Sequence, residues 1–308
     1  MTPAARRAVT VLTLLVGTLA AVAAAAGLAL GGGPGRQVVV TPRGEPVVLD
    51  GTGLYRWSGV FAAAGQRGTD LVVLVLVVPL SVIALVAARR GSVRARLLLA
   101  GLLVVVLYVH GSVVAGTIAH TPLYVVSVLV VPAAGAAVAV LVAGIDPHEP
   151  LLRSGTPRRG PGLFMLVSAL VTVLVWGVPL IAAAATGTVP ARTDLAAAPV
   201  TLGLDLAVVT PLVSLAAVLL LRGAPQALLL AVPLLVLEVS LAPVIAAQTA
   251  SQLASGVRLD AAEIAGPIGG FAVLALGAAI TLVALLRIPA PSPSSSSPST
   301  SPRPASAA

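Results

Sequence analysis

Cysteine and lysine are both absent from this 308-residue chain. Without cysteine there is no disulfide, no thiolate nucleophile, no Cys-ligated zinc or iron–sulfur cluster, and no covalent haem attachment. Without lysine there is no Schiff-base chemistry and no Walker-type phosphate loop. Charge of either sign is scarce: 9% of residues are charged, against about 25% in a soluble domain. Aromatic residues make up only 3%. No H-E-x-x-H, G-x-S-x-G or P-loop signature occurs. The "GGGPGR" run at Gly31 follows an apolar span instead of a strand, so it reads as a flexible exit from that span.

What the chain does contain is Ala, Leu and Val. Hydrophobic residues account for 58% and the mean hydropathy is +1.09. Several apolar runs reach the roughly 20 residues needed to cross a bilayer core. The expected fold is therefore all-α, a polytopic membrane bundle of about eight transmembrane helices occupying residues 1–288. The spans are placed near Ala8–Leu30, Leu71–Ala88, Leu97–Ala115, Leu123–Gly144, Leu163–Ala185, Leu204–Leu221, Ala227–Ala247 and Ile268–Leu286. The Pro/Ser-rich stretch 289–308 has nothing to bury and is expected to be a disordered cytoplasmic tail.

A sequence pI near 11.5 invites a nucleic-acid reading, but the arginines are scattered between apolar spans, and topology accounts for them more simply. With both termini placed in the cytoplasm, twelve of the 18 arginines fall on inner segments and seven of the 10 acids fall outside. This is the bias of the positive-inside rule. A multi-pass protein of the cell (plasma) membrane is expected. The opening "MTPAARRAVT" would also suit a signal peptide, but the apolar run behind it exceeds the 7–15 residues of a signal core, which favours a retained first span.

Residues 31–69 form the longest loop, expected outside the cell. "QVVVTPRGEPVVLDG" alternates around a Pro-Arg-Gly-Glu turn and predicts a small hairpin. Tyr55, Trp57 and Phe61, three of the chain's few aromatic rings, then precede the second span. They are expected to anchor a short interfacial helix at headgroup level, with Asp70 as the N-cap of span two; a lid over an outward-facing pocket is the alternative. In the loop after span four, Asp146, His148 and Glu149 are ligand types in a proline-flanked setting that reads as a solvated turn. The sequence gives reason to expect neither a metal site nor a cofactor. The lipid bilayer is the expected partner, with other membrane subunits as candidates and nucleic acid set aside.

Residues Gly53 to about Leu129 carry "GLYRWSGVFAAAGQRGTDL", "RRGSVRARLLLAGLLVVVLYVH" and "HTPLYVVSV". This quarter of the chain resembles an uncharacterised family of prokaryotic multi-pass membrane proteins. The family pattern places an acidic residue soon after the tyrosine and an Asn-Pro pair near the last motif, where this chain has Trp57-Ser58 and Thr121-Pro122. The resemblance implies a multi-pass membrane fold and brings no activity with it.

Ionisable residues inside a bilayer are costly and mark functional positions. Glu238 in "LLVLEVSLAP" lies about 20 Å into span seven at 1.5 Å per residue. His110 and Trp176 reach a similar depth, and Tyr108, Ser127 and Thr210 add polar atoms nearby. One reading makes this layer a cavity with a Glu238–His110 pair that binds protons or cations. The other makes each group a simple interhelical hydrogen bond, with His110 reaching Ser127 or Tyr124. "VLYVH" in span three and "VLEVS" in span seven align Tyr108 with Glu238, as a duplicated four-span unit would, although Val/Leu-rich sequence yields such matches by chance. A non-enzymatic role is favoured: small-solute or ion transport, or an accessory subunit of a membrane assembly. A membrane enzyme on a lipid or polyprenyl substrate is the alternative, using outer-face Asp70, His120, Asp205, Asp260 and Glu263.

Overall fold

A computed structural model describes residues 1–33, 35–118, 120–145, 155–188 and 199–287. Eight helices in it are long and apolar enough to span a membrane: α1 (Pro3–Ala29), α2 (Val60–Arg89), α3 (Val93–Ala115), α4 (Leu123–Ala143), α5 (Arg159–Thr186), α6 (Val200–Leu221), α7 (Leu228–Ala254) and α8 (Ala261–Leu286). The protein is an all-α polytopic membrane bundle. Asp146, His148, Glu149, Asp194 and the Pro/Ser-rich tail lie outside the described residues.

The helix ends follow from local chemistry. Thr2 Oγ1 accepts the Ala5 N–H at the start of α1, and Ser92 Oγ accepts the Ala95 N–H at the start of α3. Asp260 and Glu263 form a reciprocal capping box on α8, which satisfies two amide donors that the helix leaves orphaned. α3 ends at Gly116 with φ +112°, a left-handed cap for which glycine carries no Cβ penalty.

Three helices contain a π-type turn: Val73–Val77 in α2, Val173–Gly177 in α5 and Asp205–Val209 in α6. A proline sits two residues beyond each turn, at Pro79, Pro179 and Pro211. A proline inside a helix lacks its N–H and clashes with the carbonyl four residues back; widening the preceding turn relieves both faults. Proline alone does not force the turn, because Pro132, Pro233, Pro243 and Pro267 lie in helices without it at those points.

Between α1 and α2, Gln37–Val40 (β1) pairs antiparallel with Pro46–Leu49 (β2), Val39 facing Val47. The tight link closes through Gly44 N–H donating to the Thr41 carbonyl, with Gly44 at φ +87°.

The helices pack as two four-membered rings. α1, α2, α3 and α4 each lie against the next, and α4 closes on α1; α5, α6, α7 and α8 repeat the same connectivity. The rings join where α7 packs on α2 and α3, with a smaller contact between α3 and α6. α3 and α7 are accordingly the most buried helices, while α5 buries only 17% of its spanning window and turns Val167, Leu170 and Ile181 outward. Lipid tails solvate leucine as well as a protein core does, so close packing and polar contacts, more than apolar burial, hold such helices together. Gly101 on α3 illustrates this: a Cβ there would run into the Val236 side chain of α7.

The second helix departs from the sequence expectation. It begins at Val60, eleven residues earlier than the expected span, and runs unbroken through Asp70. Asp70 is therefore no N-cap. Asp50 serves the helix start instead, its Oδ1 accepting the Val60 N–H at 2.5 Å.

Candidate functional site

Among the described residues, three groups of buried polar side chains stand out. The first ties the hairpin loop to the bundle. The Tyr55 hydroxyl donates to Asp70 Oδ2 at 2.5 Å, and Gln66 Nε2 donates to Asp70 Oδ1 at 3.0 Å. Arg67 donates to the carbonyl and the hydroxyl of Thr52, at 2.7 and 2.5 Å. Gly27 of α1 leaves the room for this, since a Cβ there would collide with Tyr55 and Asp70. Burial, followed by the charge and hydrogen bond of Asp70, pushes the Tyr55 phenol well above its ordinary range, while Arg67 acts in the opposite direction.

The interfacial picture of the three aromatics changes with this geometry. Tyr55 is 3% exposed and serves as a hydrogen-bonded wedge between loop and bundle, so it is not a surface anchor. Phe61 is 41% exposed, and Trp57 is half-buried with the Arg56 guanidinium 5.3 Å from its ring centre.

The second group lies between α3 and α4. His110 Nδ1 is 3.0 Å from Ser127 Oγ, and both side chains are buried. His110 does not pair with Glu238 as the shared depth suggested. Its face of α3 points to α4, while Glu238 on α7 points to α5.

The third group is the candidate site, a cavity of about 40 Å³ inside the α5–α8 ring. Its walls include Ser168, Thr172 and Trp176 of α5, Asp205 and Thr210 of α6, and Glu238 of α7. Ser168 donates its hydroxyl to Glu238 Oε1. Asp205 accepts from the Tyr108 hydroxyl of α3 at 2.8 Å and from Trp176. Glu238 Oε2 and Thr210 Oγ1 are buried and have no partner among the described residues. Other membrane-depth hydroxyls in this chain, including Ser81, Ser112, Thr172, Ser240 and Thr249, donate to the carbonyl four residues back. For Thr210 that carbonyl belongs to Leu206, inside the Asp205–Val209 π turn, and the bond is not made.

A second cavity, of about 50 Å³, adjoins the first. It is lined by Gln66, Thr69, Tyr108, Ser112, Thr117, Thr201, Ser240 and Gln248 among apolar neighbours. Leu237 and Leu241 belong to both cavities. Tyr108 lines the second and bonds Asp205 in the wall of the first, so this one hydrogen bond bridges them.

Of the residues singled out in the sequence, Glu238, Trp176, Asp205 and Tyr108 come together here. His110 does not, and Asp70 belongs to the loop anchor. His120 is exposed, while Asp260 and Glu263 cap α8, so the outer-face acids and histidine do not gather into one cluster. Among the described residues no group of three or more His, Cys, Asp or Glu is placed to hold a metal ion. Sequence reasoning missed Ser168 and Thr172, although two hydroxyls one turn apart in an apolar span are a readable sign of an inward face. It also missed Gln66 and Gln248, whose polarity lies near the span ends.

No family model, curated protein or solved structure matches this chain.

Proposed function

We propose that this chain is a non-enzymatic transport protein of the plasma membrane, with the start of α1 cytoplasmic, that moves a small ion or solute through the α3/α6/α7 junction. The observation that supports this reading is the pair of polar cavities, one inside the α5–α8 ring and one where the rings join, bridged by the Tyr108–Asp205 hydrogen bond. Polar groups at membrane depth are expensive, and chains retain them along pathways for polar cargo. A water needs roughly 10–15 Å³ of such volume, so each cavity holds only a few waters. That size favours an ion over a bulky solute. The Tyr108–Asp205 bond closes the path between them, and its opening is the natural gate. The resemblance over residues 53–129 is compatible with this reading and adds no activity to it.

The test is flux. Purified protein in proteoliposomes, given a pH or sodium gradient and an internal pH- or sodium-sensitive dye, is expected to dissipate the gradient faster than protein-free vesicles. The Glu238→Gln variant is expected to lose at least ten-fold of that rate. Gradients that persist in every case, with a second membrane protein co-purifying in fixed ratio, would replace transport by the accessory-subunit role.

A further inference from the structure

We propose that the α5–α8 cavity is a binding site for one small monovalent cation, a proton or an alkali ion of sodium size, held by Glu238, Asp205 and Thr210. The proposal deepens the transport reading and rests on it only for direction of movement; binding at this site is a separate property.

Three observations carry it. First, two carboxyl side chains, Asp205 and Glu238, line one cavity of about 40 Å³ at membrane depth, and no arginine or histidine lines it. Two carboxyl groups in one mostly apolar cavity stay charged only when a cation is paired with them, and otherwise take up protons. Second, Thr210 is 8% exposed and its hydroxyl has no partner among the described residues. Glu238 Oε2 is likewise buried and unpartnered. Oxygen ligands of this type, a carboxylate and a hydroxyl, are what a hard cation takes. Third, the remaining carboxylate oxygens are already oriented. Ser168 holds Glu238 Oε1, while Tyr108 and Trp176 hold Asp205, so both acids are oriented by donors and Glu238 keeps Oε2 free among the described residues.

The groups able to alter the local charge are few. On α3, Tyr108 donates to Asp205 and His110 is turned to Ser127. On α2, Asp70 is bound by Tyr55 and Gln66. α5 and α8 add no ionisable side chain to the cavity wall. Protons and alkali ions therefore compete for the same two carboxyl groups, and raising the pH tightens alkali-ion binding.

The chain supplies its own probe. Trp57 and Trp176 are its two tryptophans, and Trp176 touches the Asp205 carboxyl. In a Trp57→Phe background, the emission of Trp176 in detergent-solubilised full-length protein reports on the site. Titration with sodium chloride against choline chloride is expected to give a saturable emission change, with a half-saturation that falls as pH rises from 6 to 8. An emission that titrates with pH and ignores sodium, lithium and potassium identifies the proton as the occupant. Emission indifferent both to these ions and to pH between 5 and 9 overturns the proposal. Thr210→Val keeps the shape and removes the hydroxyl, and is expected to raise the half-saturation, or shift the pH midpoint, by roughly ten-fold or about one unit. Glu238→Gln is expected to abolish the response while the protein still elutes as a single species in gel filtration. An unchanged response in that well-folded variant also overturns the proposal. Binding without flux in vesicles would leave the site standing and remove the transport reading; flux without binding would do the reverse.

Discussion

Asp70 and Asp205 sit in similar local sequence, each followed by leucine in an apolar helix, and each accepts from a tyrosine on another element. Their surroundings separate their duties. Asp70 is closed in by Tyr55, Gln66 and the bare backbone at Gly27, with Arg67 beside it, which makes it an anchor for the loop. Asp205 lines a cavity with a second acid and two unpartnered oxygens. Tyr55→Phe is expected to destabilise the protein by about 2 kcal/mol, because a buried acid loses its donor. The Tyr55 phenol is held above its normal range, so the neutral form is the one the fold favours. That stabilisation is fully present below the ordinary tyrosine value of 10.0 and is lost only as pH rises above it towards the folded value. In an alkaline titration followed at the tyrosinate absorbance, the Tyr55→Phe variant is therefore expected to match the parent near pH 10. A parent signal larger by one phenol at that pH would show Tyr55 to be solvent-accessible. Tyr108→Phe leaves the ring and removes the bridge between the cavities. It is expected to alter the rate of flux several-fold and, because Asp205 loses one of its two donors, to shift the half-saturation of Trp176 emission as well.

At the scale of elements, the π turns set what the spans present. An α-helix advances about 100° per residue, so the extra residue in the Asp205–Val209 turn rotates Asp205 relative to everything after Thr210. Pro211→Ala restores the missing N–H and is expected to return α6 to regular geometry. Asp205 then swings off the cavity wall, and Thr210 regains a carbonyl partner at Leu206. The thermal midpoint is expected to hold or rise, because a helix-interior proline is replaced by the best helix former, while Trp176 emission shifts and the cation response is lost. A variant with a lowered midpoint and an unchanged response would show that the turn is structural only. Gly101 offers the complementary test of packing. Gly101→Leu drives a side chain into Val236 and is expected to cost about 1–3 kcal/mol or more by overpacking the α3–α7 seam.

For the whole molecule, the two rings share one connectivity, and α3 and α7 hold equivalent places in them. Tyr108 and Glu238, matched in the two similar pentapeptides, both lie in cavity walls. The two cavities differ in content: the one inside the second ring carries both acids, and the one between the rings is lined by amides and hydroxyls among apolar side chains. Orientation is testable without background, since the chain has no cysteine. A cysteine introduced at Arg94, beside the start of α3, is expected to resist a membrane-impermeant maleimide added to intact cells. One introduced at Gly44, in the hairpin turn, is expected to react. The reverse pattern would invert the proposed topology.

The sequence by itself determined the membrane class and the number of spans, because apolar runs long enough to cross a bilayer are a property of consecutive residues. It also pointed to a small hairpin between α1 and α2, because turn and alternation signals are short-range, while the Val39–Val47 register came from the structure. Glu238 stood out because charge inside an apolar run is visible along one chain. Only the tertiary structure decided who meets whom. Depth along a helix can be counted from sequence, but facing cannot when nearly every position is apolar and no polar stripe marks the inner side. Equal depth thus suggested His110 as the partner of Glu238, whereas the rotation of α3 gives His110 to Ser127 and that of α7 gives Glu238 to Ser168. Tyr55 and Asp70 were separately legible as a loop aromatic and a helix acid. Their bond depends on α2 beginning at Val60 and on a glycine in α1, two facts that no local pattern joins.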